Sequence, residues 1–312
     1  MTEARGITRF AKIQDCIALT ECVRQDPNDP FYRVLQSLRL GQCSKEQWQF
    51  LCTRRLSALS LEEQLLFENA VCIFSTKEDA RRYNDDQMIA LNQPIARIEA
   101  LHTGNGAKEA KSDDMCGLQP VLELCIGAKV MLRMNLWVSK GLVNGTMGTI
   151  VAILYRGSNR PPALPEGVVV TVPMYEGPGY NGVKHHILVT PDEFQAMRMG
   201  QMITRSQLPM CLAWGITIHK AQGMTIGPGE AIPRYRVSLR KTEHSAGMTF
   251  VALSRAKTMQ CFVFYPVPDF TRMQAIANAT QLPNRLLELE RIERLSEATF
   301  QRYQHLTNTN LE

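Results

Sequence analysis

Four consecutive apolar residues, Val71-Cys72-Ile73-Phe74, run through Ser75-Thr76 straight into a charged stretch, 77–91, of helical character. A strand that is apolar at every position must be covered on both faces. A helix capped at its entry and starting where the strand ends supplies such cover. This is the βα step of a parallel sheet, and it constrains the chain to an α/β fold.

The same texture returns late in the chain. An apolar run over 208–218 opens into a helix near His219, a further helix lies near Phe250, and an apolar strand follows at 261–264. Between these regions, 104–117 is small, charged and aperiodic, and reads as a loop. Strands are expected at 129–132, 149–155 and 185–189, with Gly141, Gly145 and Gly148 turning the chain. Pro161, Pro162, Pro165, Pro173 and Pro178 surround a β-branched run at 168–172. Short strands punctuated by Gly and Pro predict a small β-barrel module. The first 70 residues read as short helices: a periodic run after Pro30 stops at Gly41, and Ser44 with Gln47 and Ser60 with Glu63 have capping-box spacing. Leu282, Leu286, Leu289, Ile292 and Leu295 predict an amphipathic C-terminal helix that closes the core. The simplest architecture is one α/β domain interrupted by an inserted β module.

Composition narrows the function classes. Of 312 residues, 45% are hydrophobic and 21% charged, which excludes a disordered chain. Lys plus Arg exceeds Asp plus Glu by 35 to 30, a net charge of +5 that permits a local groove for anions without a basic surface throughout. No apolar stretch is long enough to span a bilayer, and the N-terminal segment has no apolar core, so neither a membrane partner nor secretion is expected. Nine scattered cysteines without a C-x-x-C pair read as reduced thiols of an intracellular protein. There is no G-x-x-x-x-G-K-[ST] phosphate loop and no apolar strand ending in Asp-Glu to hold Mg²⁺. No residue is assigned to a metal.

Three segments could carry chemistry. Ala213-Trp-Gly-Ile-Thr-Ile-His-Lys-Ala-Gln-Gly-Met-Thr225 brings Thr217, His219, Lys220, Gln222 and Gly223 into one turn. A point charge, neutral donors and bare backbone suit contact with a phosphate chain, and equally a solvated helix start. In Thr249-Phe-Val-Ala-Leu-Ser-Arg-Ala-Lys257, Arg255 closes an apolar helix, where it either meets an anion or lies on the exposed side. The third segment, 127–135 followed by 140–148, reads on its own as a hairpin with glycine turns.

In this order, residues 127–136, 140–148, 212–225 and 250–255 resemble the C-terminal half of the Pif-type, RecD-like superfamily-one DNA helicases. Val23-Arg-Gln25, 31–41 and 71–84 extend the resemblance over nearly the whole chain. It departs at Thr76-Lys77, where the family has Thr-Asn. It departs again after Thr225, where Gly227-Pro-Gly229 and Arg236-Val-Ser-Leu-Arg240 replace an Asp-containing strand.

The resemblance implies an α/β fold of RecA-like, P-loop-NTPase type. Its parallel sheet domain would comprise 1–140 and 205–312, as a second motor domain, with a small SH3-like β-barrel inserted at 141–204. It implies ATP-dependent DNA helicase chemistry. Single-stranded DNA would meet Thr76, Asn144, His219, Lys220 and Gln222, and the nucleotide would meet Arg24, Gln25, Gly223 and Arg255. Arg255 would be the catalytic residue, an arginine finger for the γ-phosphoryl group. ATP and Mg²⁺ would belong to the complete enzyme. This chain, expected to lack the first motor domain, would neither hold them tightly nor hydrolyse ATP alone, and a separate first motor domain is a candidate partner. A nuclear or mitochondrial setting follows if the source is eukaryotic. The alternative is a non-catalytic nucleic-acid-binding remnant of a helicase.

Overall fold

The computed structural model describes residues 10–198, 200–240, 243 and 247–307; the segment 1–9, read above as no secretory leader, lies outside them. The chain divides into two compact units. One comprises Met1–Leu51, Lys241–Phe250 and Asp269–Glu312, the other Cys52–Arg240 and Val251–Pro268.

The first unit is helical. Helix Pro30–Arg39 begins with Pro30 in its first turn and the Asp29 carboxylate accepting from the Phe31 amide at 2.8 Å. It buries Phe31, Val34, Leu35 and Leu38, the apolar stripe expected from their spacing. Gly41 follows in the left-handed region (φ +71°), which favours glycine, and a Cβ there would lie 2.7 Å from a Leu282 methyl, which would have to shift. Ser44 and Gln47 form the reciprocal capping box. The Gln47 amide donates to Ser44 Oγ at 3.2 Å, and the Ser44 amide to Gln47 Oε1 at 3.0 Å. Helix Leu282–Thr307 carries the N-terminal segment on its surface through Cys16 N to Thr299 Oγ1 (3.0 Å) and an Arg302–Asp15 ion pair (2.6 Å).

The second unit holds every named strand: β1 Val71–Phe74, β2 Ala96–Glu99, β3 Leu101–Thr103, β4 Val121–Leu124, β5 Lys129–Leu132, β6 Met147–Leu154, β7 Gly167–Thr171, β8 His186–Val189, β9 Asp192–Arg198, β10 Gln201–Gln207, β11 Met210–Leu212, β12 Gly215–Thr217, β13 Tyr235–Ser238 and β14 Phe262–Phe264. Four of them form an all-parallel sheet in the order β12-β1-β13-β14. Strand β1 is buried at all four positions and occupies an interior place in the sheet, paired in parallel with β12 and β13. Helix Lys77–Ala90 follows β1, as the βα step requires.

Between that helix and β12 the chain builds antiparallel sheet. Five strands run in the order β11-β5-β6-β7-β8, with a bulge in β6 between Ile150 and Ala152 that leaves Val151 partly exposed. Val130, Leu132, Ile150, Val168, Val170 and Val189 pack in one core with Met88 of the preceding helix. This five-stranded sheet extends beyond 141–204 on both sides, from Lys129 to Leu212, because the apolar run of β5 pairs with both β6 and β11. A three-stranded sheet, β3-β10-β9, was not expected from the sequence. Its long hairpin arms are mostly polar, with β9 only alternately half-buried and β10 burying Arg205 and Gln207 beside Ile203, so they carry little hydrophobic signal.

Arg205 of β10 organises the 104–117 loop. Its side chain is fully buried. Its guanidinium donates to the carbonyls of Leu118 (2.9 Å), Ala107 (2.8 Å) and Ala110 (2.8 Å). A cation is tolerated there because backbone oxygens replace the water it loses. An aperiodic loop thereby acquires a fixed shape.

Candidate nucleic-acid interface

The second unit contains a groove of about 1370 Å³. Its positioning starts with Asn84 of helix Lys77–Ala90. The buried Asn84 amide donates to the Gly215 carbonyl (2.8 Å), and its oxygen accepts from the Gly215 N–H (2.7 Å). That clamp needs glycine: a Cβ at 215 would lie 2.9 Å from the Phe74 ring and 3.2 Å from the Ala80 carbonyl oxygen. With β12 so fixed, Thr217 caps the short helix Ile218–Ala221 by accepting from the Lys220 amide (3.3 Å). His219 and Gln222 are exposed, and Lys220 is half-buried with Nζ 3.5 Å from Cys211 Sγ. Gly223 turns the chain at φ +90° with open space where a side chain would stand.

The antiparallel region supplies the facing wall. Asn144 sits in a tight turn in which its N–H donates to Asn135 Oδ1 at 2.8 Å, and a Cβ on Gly145 would lie 3.3 Å from the Met224 methyl. Asn144, His219, Lys220, Gln222 and Gly223, distant in sequence, thus line one groove. Lys77, Lys129, Arg133, Lys140 and Arg234 line it too, with Asp113 and Glu230 as its acids. Arg133 and Lys140 lie inside segments singled out from the sequence, and Lys77 directly follows Thr76. Their shared surface was hidden because it exists only after folding.

Electrostatics follow from this crowding of cations. Asp113 accepts from Lys77 Nζ at 2.6 Å. That bond, with the charges of Lys77, Arg133 and Lys220, holds its carboxyl below the usual carboxylate range against the opposing effect of burial. Lys129 donates to the Asn69 carbonyl (2.6 Å), and burial, aided by the charge of Arg236, pushes its ammonium pKa down.

The remaining candidates lie elsewhere. Thr76 caps helix Lys77–Ala90: its hydroxyl donates to Asp79 Oδ2 (2.6 Å) and accepts from the Asp79 N–H (3.2 Å). Arg24 and Gln25 belong to the first unit, where Gln25 is buried and accepts from the Cys22 thiol (3.6 Å). Arg255 belongs to the second and is 9% exposed. It donates to the carbonyls of Val251 (2.9 Å) and Met224 (3.5 Å) and to Ser254 Oγ (2.9 Å). Its own backbone is stitched to the groove segment, Ile226 N donating to the Arg255 carbonyl at 2.9 Å. Among the described residues no group of three or more His, Cys, Asp or Glu is arranged to hold a metal ion, and no helix is long and apolar enough to cross a membrane.

An all-parallel sheet flanked by helices, with a cation-lined groove that takes residues from the segments after β1 and β12, defines the class: a RecA-like α/β fold. A family model described as "DNA helicase Pif1, 2B domain" matches residues 116–153. The ATP-dependent DNA helicase PIF1 of Homo sapiens is 32% identical over 247 residues, 78% of this chain and 34% of that protein. Among solved structures, the Pif1 helicase of Candida albicans superposes with a TM-score of 0.61 at 22% identity, covering 86% of this chain and 59% of the other. A Bacteroides Pif1 bound to single-stranded DNA gives 0.58 at 22% identity, covering 90% and 57%. The chain belongs to the Pif1 helicase family and corresponds to a partial, roughly C-terminal region of such a helicase. It spans about a third of the length of the curated relatives it matches.

Proposed function

We propose that this chain is the C-terminal motor half of an ATP-dependent DNA helicase and that its groove binds the backbone of single-stranded DNA. The observation that carries the reading is the convergence of Asn144, His219, Lys220 and Gln222 with Lys77, Arg133 and Lys140 in one groove. Lysines and arginines meet phosphates, neutral amide donors fix the strand, and the bare Gly223 lets it approach. The relative's name, an ATP-dependent DNA helicase, and a neighbour solved with single-stranded DNA bound support the assignment. Residues 1–140 and 205–312 are read as the second RecA-like motor domain, and 141–204 as an inserted SH3-like β module.

ATP and Mg²⁺ fit only part of this chain, because its sequence has neither a phosphate loop nor an acidic strand end. They would be held by a first motor domain. The chain would contribute Arg255 as arginine finger toward the γ-phosphoryl group, and Arg24, Gln25 and Gly223 are the other nucleotide-binding candidates. A positioned guanidinium stabilises charge spreading over that group in the transition state. A second reading, a non-catalytic nucleic-acid-binding remnant, draws on Arg255 being satisfied by protein oxygens.

The groove is tested by anisotropy of a labelled oligothymidine across a salt series. Affinity should fall as salt rises, since phosphate contacts release counterions. Lys220→Ala should weaken binding uniformly across sequences, because a phosphate contact carries no base information. No binding at low salt, or affinity indifferent to salt, would refute the assignment.

A further inference from the structure

Lys77, Arg133 and Lys220 come from three separate pieces of chain: the helix after β1, the segment after β5 and the helix after β12. All three line the groove, where their charges repel one another. One carboxylate is set among them. Asp113 comes from the 104–117 loop and accepts from Lys77 Nζ at 2.6 Å. It does not trail there by chance, because the buried Arg205 holds the loop on both sides of it through the carbonyls of Ala107, Ala110 and Leu118. The pair nevertheless faces water: the side chains of Lys77 and Asp113 are 79% and 67% exposed.

We propose that Asp113 is a protein-borne stand-in for a backbone phosphate, seated among Lys77, Arg133 and Lys220 and displaced when single-stranded DNA enters the groove. The inference rests on the groove reading above and adds to it the residue that sets the affinity. A carboxylate presents the same acceptor chemistry to an ammonium as a phosphate oxygen does, with one charge and no covalent neighbours in the strand. An exposed ion pair is weak, so a strand that brings several phosphates at once outcompetes it. Asp113 thus offsets part of the positive charge of Lys77, Arg133 and Lys220 while no strand is bound, and each binding event must break its contact with Lys77. Its retained negative charge then opposes the strand, which favours release.

The test uses the full chain and a labelled oligothymidine at low salt, with Asp113→Asn, Lys77→Ala, Lys220→Ala and the Asp113→Asn/Lys77→Ala double variant. Circular dichroism confirms that each is folded. Asp113→Asn should bind roughly two- to fivefold more tightly, the range an exposed ion pair spans. Lys77→Ala should weaken binding more in the Asp113→Asn background than alone, because there the ammonium no longer has to leave a carboxylate first. If Lys220→Ala weakens binding while folded Asp113→Asn binds unchanged or less tightly, the groove reading stands and the displacement proposal falls. If neither substitution alters binding, both fall.

Discussion

Arg240 grips Asp79 at two points, with Nε 2.8 Å from Oδ2 and Nη2 3.0 Å from Oδ1. The pair joins the chain just past β13 to the first turn of helix Lys77–Ala90, and the same Asp79 Oδ2 accepts from the Thr76 hydroxyl. Arg240 closes the stretch that replaces the Asp-containing strand of the family pattern. The guanidinium and its acid partner therefore tie that stretch to the helix start that carries Thr76-Lys77.

The pair predicts a stability difference that depends on pH. The Arg240 hydrogen bonds, helped by Thr76, hold the Asp79 carboxyl below the usual aspartate range despite partial burial. A carboxyl whose pKa is lower folded than unfolded contributes stability that is complete above the ordinary aspartate range. That contribution disappears as pH falls through the folded value. Asp79→Asn should therefore cost about 1 kcal/mol or less at neutral pH, Arg240 being more than half exposed, and the gap should close in acid. Thr76→Ala should cost about 1 kcal/mol through the lost cap, and Thr76→Ser almost nothing. Urea unfolding of the three variants over a pH series checks this. A constant Asp79→Asn deficit down to the acid limit would contradict the ion-pair account.

Arg205 predicts a larger loss. Truncating it leaves the carbonyls of Leu118, Ala107 and Ala110 buried without their donor and opens a side-chain-sized void. Each orphaned acceptor costs about 1–3 kcal/mol, so Arg205→Ala should destabilise the chain by roughly 3 kcal/mol or more. Arg205→Lys should recover little, since a single ammonium cannot reach three carbonyls with the geometry of a planar fork. Limited proteolysis should cut the variant first within 104–117. A variant as protease-resistant as the parent would show that the loop is held by other means.

These residues also show where sequence reading succeeds and where it stops. Val71–Phe74 announces a doubly covered strand because every position is apolar, and the Thr76 cap that follows is local chemistry. His219, Lys220, Gln222 and Asn144 are legible because each lies in an ordered segment whose neighbours have a family pattern. Arg205 gives no such signal: a single cation in a polar strand looks like surface, and its carbonyl partners lie 87 to 98 residues away. Asn84 is hidden in the same way, a polar residue in a charged helix whose partner Gly215 is 131 residues distant. The cations that complete the groove are likewise set by tertiary contact and carry no local spacing.

Arg255 provides the last prediction, and its position decides the sign. An arginine finger waiting for a partner domain would leave stability nearly unchanged when truncated. Here Arg255 is 9% exposed, and its guanidinium donates to the Val251 carbonyl, four residues back in the last turn of helix Met248–Leu253, as well as to Ser254. That is a C-terminal cap in which the charge also complements the negative end of the helix. Arg255→Ala should therefore cost about 1–3 kcal/mol and lower the melting midpoint by several degrees, even without nucleotide. Arg255→Lys should restore part of this loss, because an ammonium can still meet one carbonyl. When a first motor domain from a relative is supplied on a separate chain, both variants should lose ATPase activity, because the ammonium lacks the planar fork. Restored stability without restored turnover in Arg255→Lys separates the two roles. Full turnover in that variant would leave Arg255 a helix cap alone.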